Sequence, residues 1–187
     1  QTIRQKPSII LIGGRYNLYA TGFGLNKFIN INEVLQKRNF VEFISDNKKS
    51  YEQEFKNTIE FLNSSGHHVV LVYPIPEVGV HVPKHIYALT KEMKSFEKAK
   101  TLFKPLTTSY DDYKKHSAVA FELFDSVQNT SIYRVYPHTL FCDNQLNDRC
   151  VSHGNDDVFY ADANHPSAKG SQMIVELIME QIEKDYK

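Results

Sequence analysis

The sequence has no net charge, no apolar run of membrane length, almost no cysteine and no methionine at its start. Its 22 basic residues balance 22 acidic ones, so no overall field draws it to nucleic acid or to an anionic membrane, and nucleic acid is not expected among its partners. No apolar stretch approaches the roughly 18 residues that read as a membrane span. The opening "QTIRQKPS" (1–8) is polar and runs straight into a strand, which is not the pattern of a signal peptide. With no initiating methionine, a fragment or a processed product is expected. The only two cysteines, Cys142 and Cys150, bracket the polar loop "CDNQLNDRC". A pair closing so short a loop suits a disulfide and an oxidising compartment; two free thiols in a cytosolic protein are the alternative. The four closely spaced ligands of a structural zinc site are missing, and no metal is expected.

What is present fits one soluble domain over 1–187: 41% of residues are hydrophobic and 24% charged. "SIILIGG" (8–14) reads as a buried strand feeding a glycine turn, and "HHVVLVYPIPE" (67–77) as a second strand ended by prolines. "TSIYRVYPHTLF" (130–141) reads as a third, and "DVFYAD" (157–162) as a short extended segment. Between them, Tyr51, Phe55, Ile59 and Leu62 recur at helical spacing in a helix over 49–66, and further helices are expected over 86–103, 110–127 and 167–184. Residues 15–45 give no clear period. Alternating strands and helices imply an α/β fold, a three-layer α/β/α sandwich around a parallel sheet. Three strands make a thin sheet, and the chain opens on a strand, so the domain is expected to be incomplete at its N-terminus.

In such folds ligands bind outside the carboxyl ends of the strands. "GGRYN", "PIPEVG" and the loop containing "DANH" all fall there. Asp162 stands three positions before His165, a spacing that lets a carboxylate orient an imidazole acting as general base. Ser167 is placed to cap the last helix behind Pro166. Set against this, Asp-x-x-His by itself is a short motif that ordinary Asx-turns also produce. His81 and His85 lie around Pro83, which spoils a regular helical i, i+4 metal pair; His67 and His68 open a strand, and His116, His138 and His153 show no carboxylate partner by spacing.

The ordered set "LIGGRYNLY" (11–19), "VYPIPEVG" (72–79), "LFCDNQLNDRC" (140–150) and "FYADANHPSAKG" (159–170) resembles the SGNH hydrolases. It is closest to the SGNH-like domains fused to the C-terminus of membrane acyltransferases of family 3. Those domains show a strand ending in Arg-Trp, a strand ending in a Pro-x-Pro-like segment, a cysteine pair, and Tyr-x-Asp-x-x-His-Leu-Ser-x-x-Gly. Here Arg-Trp is Arg15-Tyr16 and His-Leu-Ser is His165-Pro166-Ser167. No Gly-Asp-Ser occurs in the 187 residues, so the resemblance implies that the nucleophilic serine lies upstream of Gln1.

By that resemblance the fold is SGNH/flavodoxin-like, and Asp162 and His165 are catalytic. Gly14 and Arg15 fall where related enzymes bind the oxyanion or the substrate carbonyl; an arginine in a structural ion pair is the plainer alternative for Arg15. The implied activity is transfer of an acyl group, acetyl above all, to hydroxyls of a cell-surface polysaccharide. It would run without a cofactor, on the periplasmic or extracellular face of a bacterial membrane, next to a membrane acyltransferase domain of the same parent chain. A stand-alone carbohydrate or lipid esterase and a non-catalytic glycan-binding remnant are the rival readings.

Overall fold

The computed structural model describes residues 6–21, 40–94, 106–128 and 131–185. Its centre is a parallel sheet of three strands, β1 (Ile9–Gly13), β2 (His68–Val72) and β4 (Ile132–Val135), in the order β1-β2-β4. Ile9 pairs with His68 and Gly13 with Val72 on one side of β2; Val69 pairs with Ile132 and Val72 with Val135 on the other.

The alternation along β2 decides the layers, since successive side chains point to opposite faces. Val69, Leu71 and Tyr73 pack with Phe55 and Ile59 of α2 (Phe40–Ser64) and with Leu123 and Phe124 of α4 (Tyr110–Asp125). Val70 and Val72 pack instead with Ile174, Leu177, Ile178 and Ile182 of α6 (Ala168–Asp185). Val69, Val70 and Leu71 are each 0% exposed, and burying such a side chain fully is worth roughly 1.5–3 kcal/mol. The result is the expected α/β/α arrangement. Short α1 (Tyr16–Thr21) follows β1 and adds the Tyr16 ring, edge-on, to Phe55 and Phe124.

Helix ends follow from the sequence. α2 stops at a glycine with φ +84°, and the backbone N–H of Gly66 and His67 donate back to Asn63 and Leu62 carbonyls. α4 starts on Ser109, whose hydroxyl accepts from Asp112 N–H, with Asp111 and Asp112 in its positive first turn. α3 (Val82–Met93) begins earlier than the expected 86, because Pro83 sits in its first turn, where a missing N–H costs nothing. The expected extension of that helix to 103 lies outside the described residues, as does most of 15–45.

Two expected strands are shorter than their apolar runs. The second stops at Val72, before Pro74 and Pro76. The third stops at Val135 and gives way to α5 (His138–Phe141) after Pro137. β3 (Thr107–Ser109) and β5 (Arg149–Val151) form a separate antiparallel pair, Thr107 opposite Val151. The expected disulfide joins Cys142 to Cys150, tying the end of α5 to β5.

Candidate active site

Three segments meet beyond the carboxyl ends of the parallel strands: the turn after β1, the loop after β2 and the loop leading into α6. The β2 loop contains Pro74 and Pro76 and leaves the sheet, so its buried carbonyls are paired by side chains from other segments. Tyr113 of α4 donates its hydroxyl to Pro74 O and Tyr160 donates to Pro76 O, both at 2.7 Å. Thr108 of β3 donates to Glu77 O at 3.0 Å. Burial pushes both phenol pKa values far above the usual range, so the hydroxyls stay protonated donors.

The last loop docks on that platform. Val78 N–H donates to Ala163 O at 2.8 Å and Val82 N–H to Asp162 O at 3.3 Å. Within the turn, Ala161 N–H donates to His165 O at 2.8 Å. Asp162 Oδ1 accepts the backbone N–H of Asn164 and of His165, each at 2.8 Å. That Asx-turn aims the second carboxylate oxygen at the imidazole: Oδ2 lies 2.6 Å from His165 Nδ1. A proton on Nδ1 leaves Nε2 as the accepting nitrogen, and the His165 side chain is 65% exposed. Burial works against ionising Asp162, but the two backbone donors and the His165 ring outweigh it and hold the carboxyl well below the usual carboxylate range.

The turn is fixed from the far side by the start of α6. Ser167 caps that helix as expected, its hydroxyl accepting from Gly170 N–H at 3.1 Å and donating to Val158 O at 2.5 Å. Gly170 passes so close to Phe159 that a Cβ there would lie 2.2 Å from the Phe159 carbonyl oxygen.

Arg15 reaches the same turn. Its Nη2 lies 3.2 Å from Glu77 Oε1, a carboxylate 9% exposed. The Asn164 amide satisfies its surroundings with its oxygen on Arg15 (2.7 Å to Nε, 2.9 Å to Nη1, 3.0 Å to Nη2) and its NH2 on Asp162 Oδ1 at 3.1 Å. The structure thus brings together Asp162, His165 and Arg15. Gly14 is exposed at the end of β1 and, among the described residues, makes no hydrogen bond to the turn. Among the described residues no hydroxyl or thiol is hydrogen-bonded to His165. Sequence reasoning missed Glu77 and Asn164. The available signal was a lone acidic residue directly after the strand-ending prolines, and an amide between the two members of the Asp–His pair.

A family model described as "SGNH domain (fused to AT3 domains)" matches residues 1–180. No curated protein sequence matches the chain. Among solved structures, the periplasmic domain of a lipopolysaccharide acetyltransferase from Salmonella ser. Paratyphi A is similar, with a TM-score of 0.51 and 19% identity. The match covers 73% of this chain and 51% of that one, so the chain spans about half the length of the structure it matches. At that identity the likeness speaks for the fold.

Proposed function

The chain belongs to the SGNH domains that are fused to AT3 domains, and on that premise we propose that it is the His–Asp portion of an O-acyltransferase. The substrate class is a cell-surface polysaccharide whose hydroxyls receive an acyl group, acetyl above all. The observation that carries this reading is the 2.6 Å contact between Asp162 Oδ2 and His165 Nδ1, with the imidazole open to solvent at the carboxyl edge of the sheet.

In the proposed reaction a serine encoded upstream of Gln1 attacks the carbonyl carbon of the acyl donor. His165 Nε2 takes the serine proton and returns it to the donor's leaving group, and an acyl-serine remains. A sugar hydroxyl then attacks that ester, His165 again takes the proton, and the serine is regenerated. Asp162 holds the Nδ1 tautomer throughout and stabilises the imidazolium. The edge of the sheet supports an upstream strand: Ile9 and Leu11 on β1 are 37% and 55% exposed, whereas Val70, paired with Leu11, is 0% exposed. The disulfide and the solved neighbour's periplasmic origin support a periplasmic setting. The fusion to AT3 domains in the matching family model supports a membrane acyltransferase domain of the same parent chain as the source of the acyl group; among the described residues no helix is long and apolar enough to cross a membrane.

The test is His165→Ala in the intact parent protein, with acyl transfer to surface polysaccharide measured in cells. Transfer should fall by at least three orders of magnitude while the protein accumulates normally. Normal transfer by this variant would reduce the domain to a binding role.

A further inference from the structure

Asn164 is the hinge of a polar chain that crosses three segments, from Glu77 through Arg15 and Asn164 to Asp162. A primary amide is neutral, but it has two different faces. Turned one way it gives Asp162 Oδ1 an N–H at 3.1 Å; turned the other way it would set an oxygen against a carboxylate oxygen. Within the turn only the Asp162 carboxylate favours the first orientation, because both Asx-turn bonds to Oδ1 come from the backbone and neither touches the Asn164 amide. From outside the turn the same choice is enforced at the oxygen end, by a guanidinium that cannot lose its proton and donates only. Arg15 in turn is held by Glu77, a largely buried carboxylate, whose own backbone is pinned through Thr108 and Val78.

We infer that Arg15 is a positioning residue: it locks the Asn164 amide with its N–H toward Asp162, so that the carboxylate facing His165 stays ionised and fixed. The guanidinium then serves the Asp–His pair from behind rather than an oxyanion in front of it. This inference rests on reading Asp162 and His165 as the acid–base pair. Among the described residues the charged groups around Asp162 are His165 on its own turn, Arg15 from the end of β1 and, behind Arg15, Glu77 from the β2 loop.

The experiment follows the Asp162 carboxyl carbon by NMR during a pH titration of the 187-residue chain and of its variants Arg15→Ala, Arg15→Lys and Asn164→Ala. Loss of one hydrogen bond to an ionised carboxylate should raise its titration midpoint by about one pH unit. Arg15→Ala and Asn164→Ala should both show that rise. Arg15→Lys keeps a cation at the amide oxygen and should reverse at least half of that rise. An unchanged midpoint in Asn164→Ala, whose side chain lies in a loop outside the core, overturns the inference even if Arg15→Ala fails to fold. Equal midpoints in Arg15→Lys and Arg15→Ala overturn it too. The same variants assayed for transfer in the intact parent separate the two readings. Lost transfer with an unmoved midpoint places Arg15 on the substrate and refutes positioning, leaving the proposed function intact. A raised midpoint in a parent whose His165→Ala variant still transfers keeps the positioning and removes the function.

Discussion

Gly170→Ala puts one methyl group where the last loop and the last helix touch. The new Cβ would lie 2.2 Å from Phe159 O, 3.1 Å from Phe159 C and 3.3 Å from Pro166 Cβ. Ordinary C···O contacts begin near 3.3 Å, so something must yield by about 1 Å. Phe159 cannot yield freely, because its N–H donates to Ser152 O at 3.0 Å and its carbonyl accepts from Ser167 N–H at 2.9 Å. The helix start cannot yield freely either, with Ser167 bonded to Gly170 N–H and Val158 O. Overpacking strain of this kind costs about 1–3 kcal/mol, and a weakened Ser167–Phe159 hydrogen bond adds about 1 kcal/mol. Alanine returns about 1 kcal/mol through its better helix propensity. The net expectation is a loss of roughly 2 kcal/mol, with the Asp162–His165 turn, which lies between the two touching points, disturbed first. Urea unfolding of the chain measures the loss, with Lys169→Ala in the same helical turn as the control. A Gly170→Ala protein as stable as the unaltered chain would show that the close approach is not a constraint.

Two other expectations concern stability. Reducing the Cys142–Cys150 bridge, whose sequence separation is 8, frees a short loop and should cost about 2–3 kcal/mol on the chain-entropy model; urea midpoints with and without reductant decide it, and identical midpoints refute it. Asp162 has a folded-state pKa below its unfolded value, so its contribution is complete above about pH 4 and fades as pH falls through the lower folded value. The stability gap between the unaltered chain and Asp162→Asn should therefore narrow from pH 6 to pH 3, and a gap that is constant or widens contradicts the assigned ionisation.

The parts of this molecule that could be read in the sequence are those where one physical pattern dominates a stretch. Val69–Val72 is continuously apolar because both its faces are covered, and the Tyr51, Phe55, Ile59, Leu62 series marks a helix with one buried side. The third strand ends earlier than its apolar run, because "YPHTLF" is as apolar as the strand before it. Only the backbone restriction at Pro137 separates β4 from α5. β3 and β5 carry no sequence signal, because Thr107–Ser109 and Arg149–Val151 are three residues each, too short for any period. In the site, Asp162 and His165 were legible because local backbone joins them. Arg15 is legible by its place after a strand, but its partners are not. Glu77 is 62 residues from it, and spacing carries no information across such a distance.

The platform loop under the site is held from outside itself. Pro74, Pro76, Glu77 and Val78 each take their position from a group on another segment: Tyr113, Tyr160, Thr108 and the Ala163 carbonyl. Its shape is therefore not a property of the six letters "PIPEVG", and a graft of those letters into another protein would not bring the shape with it. A chain with different letters there, but with two buried tyrosine hydroxyls and a threonine aimed at the same carbonyls, would build the same platform. Those distant anchors are the features by which to recognise this site in another protein.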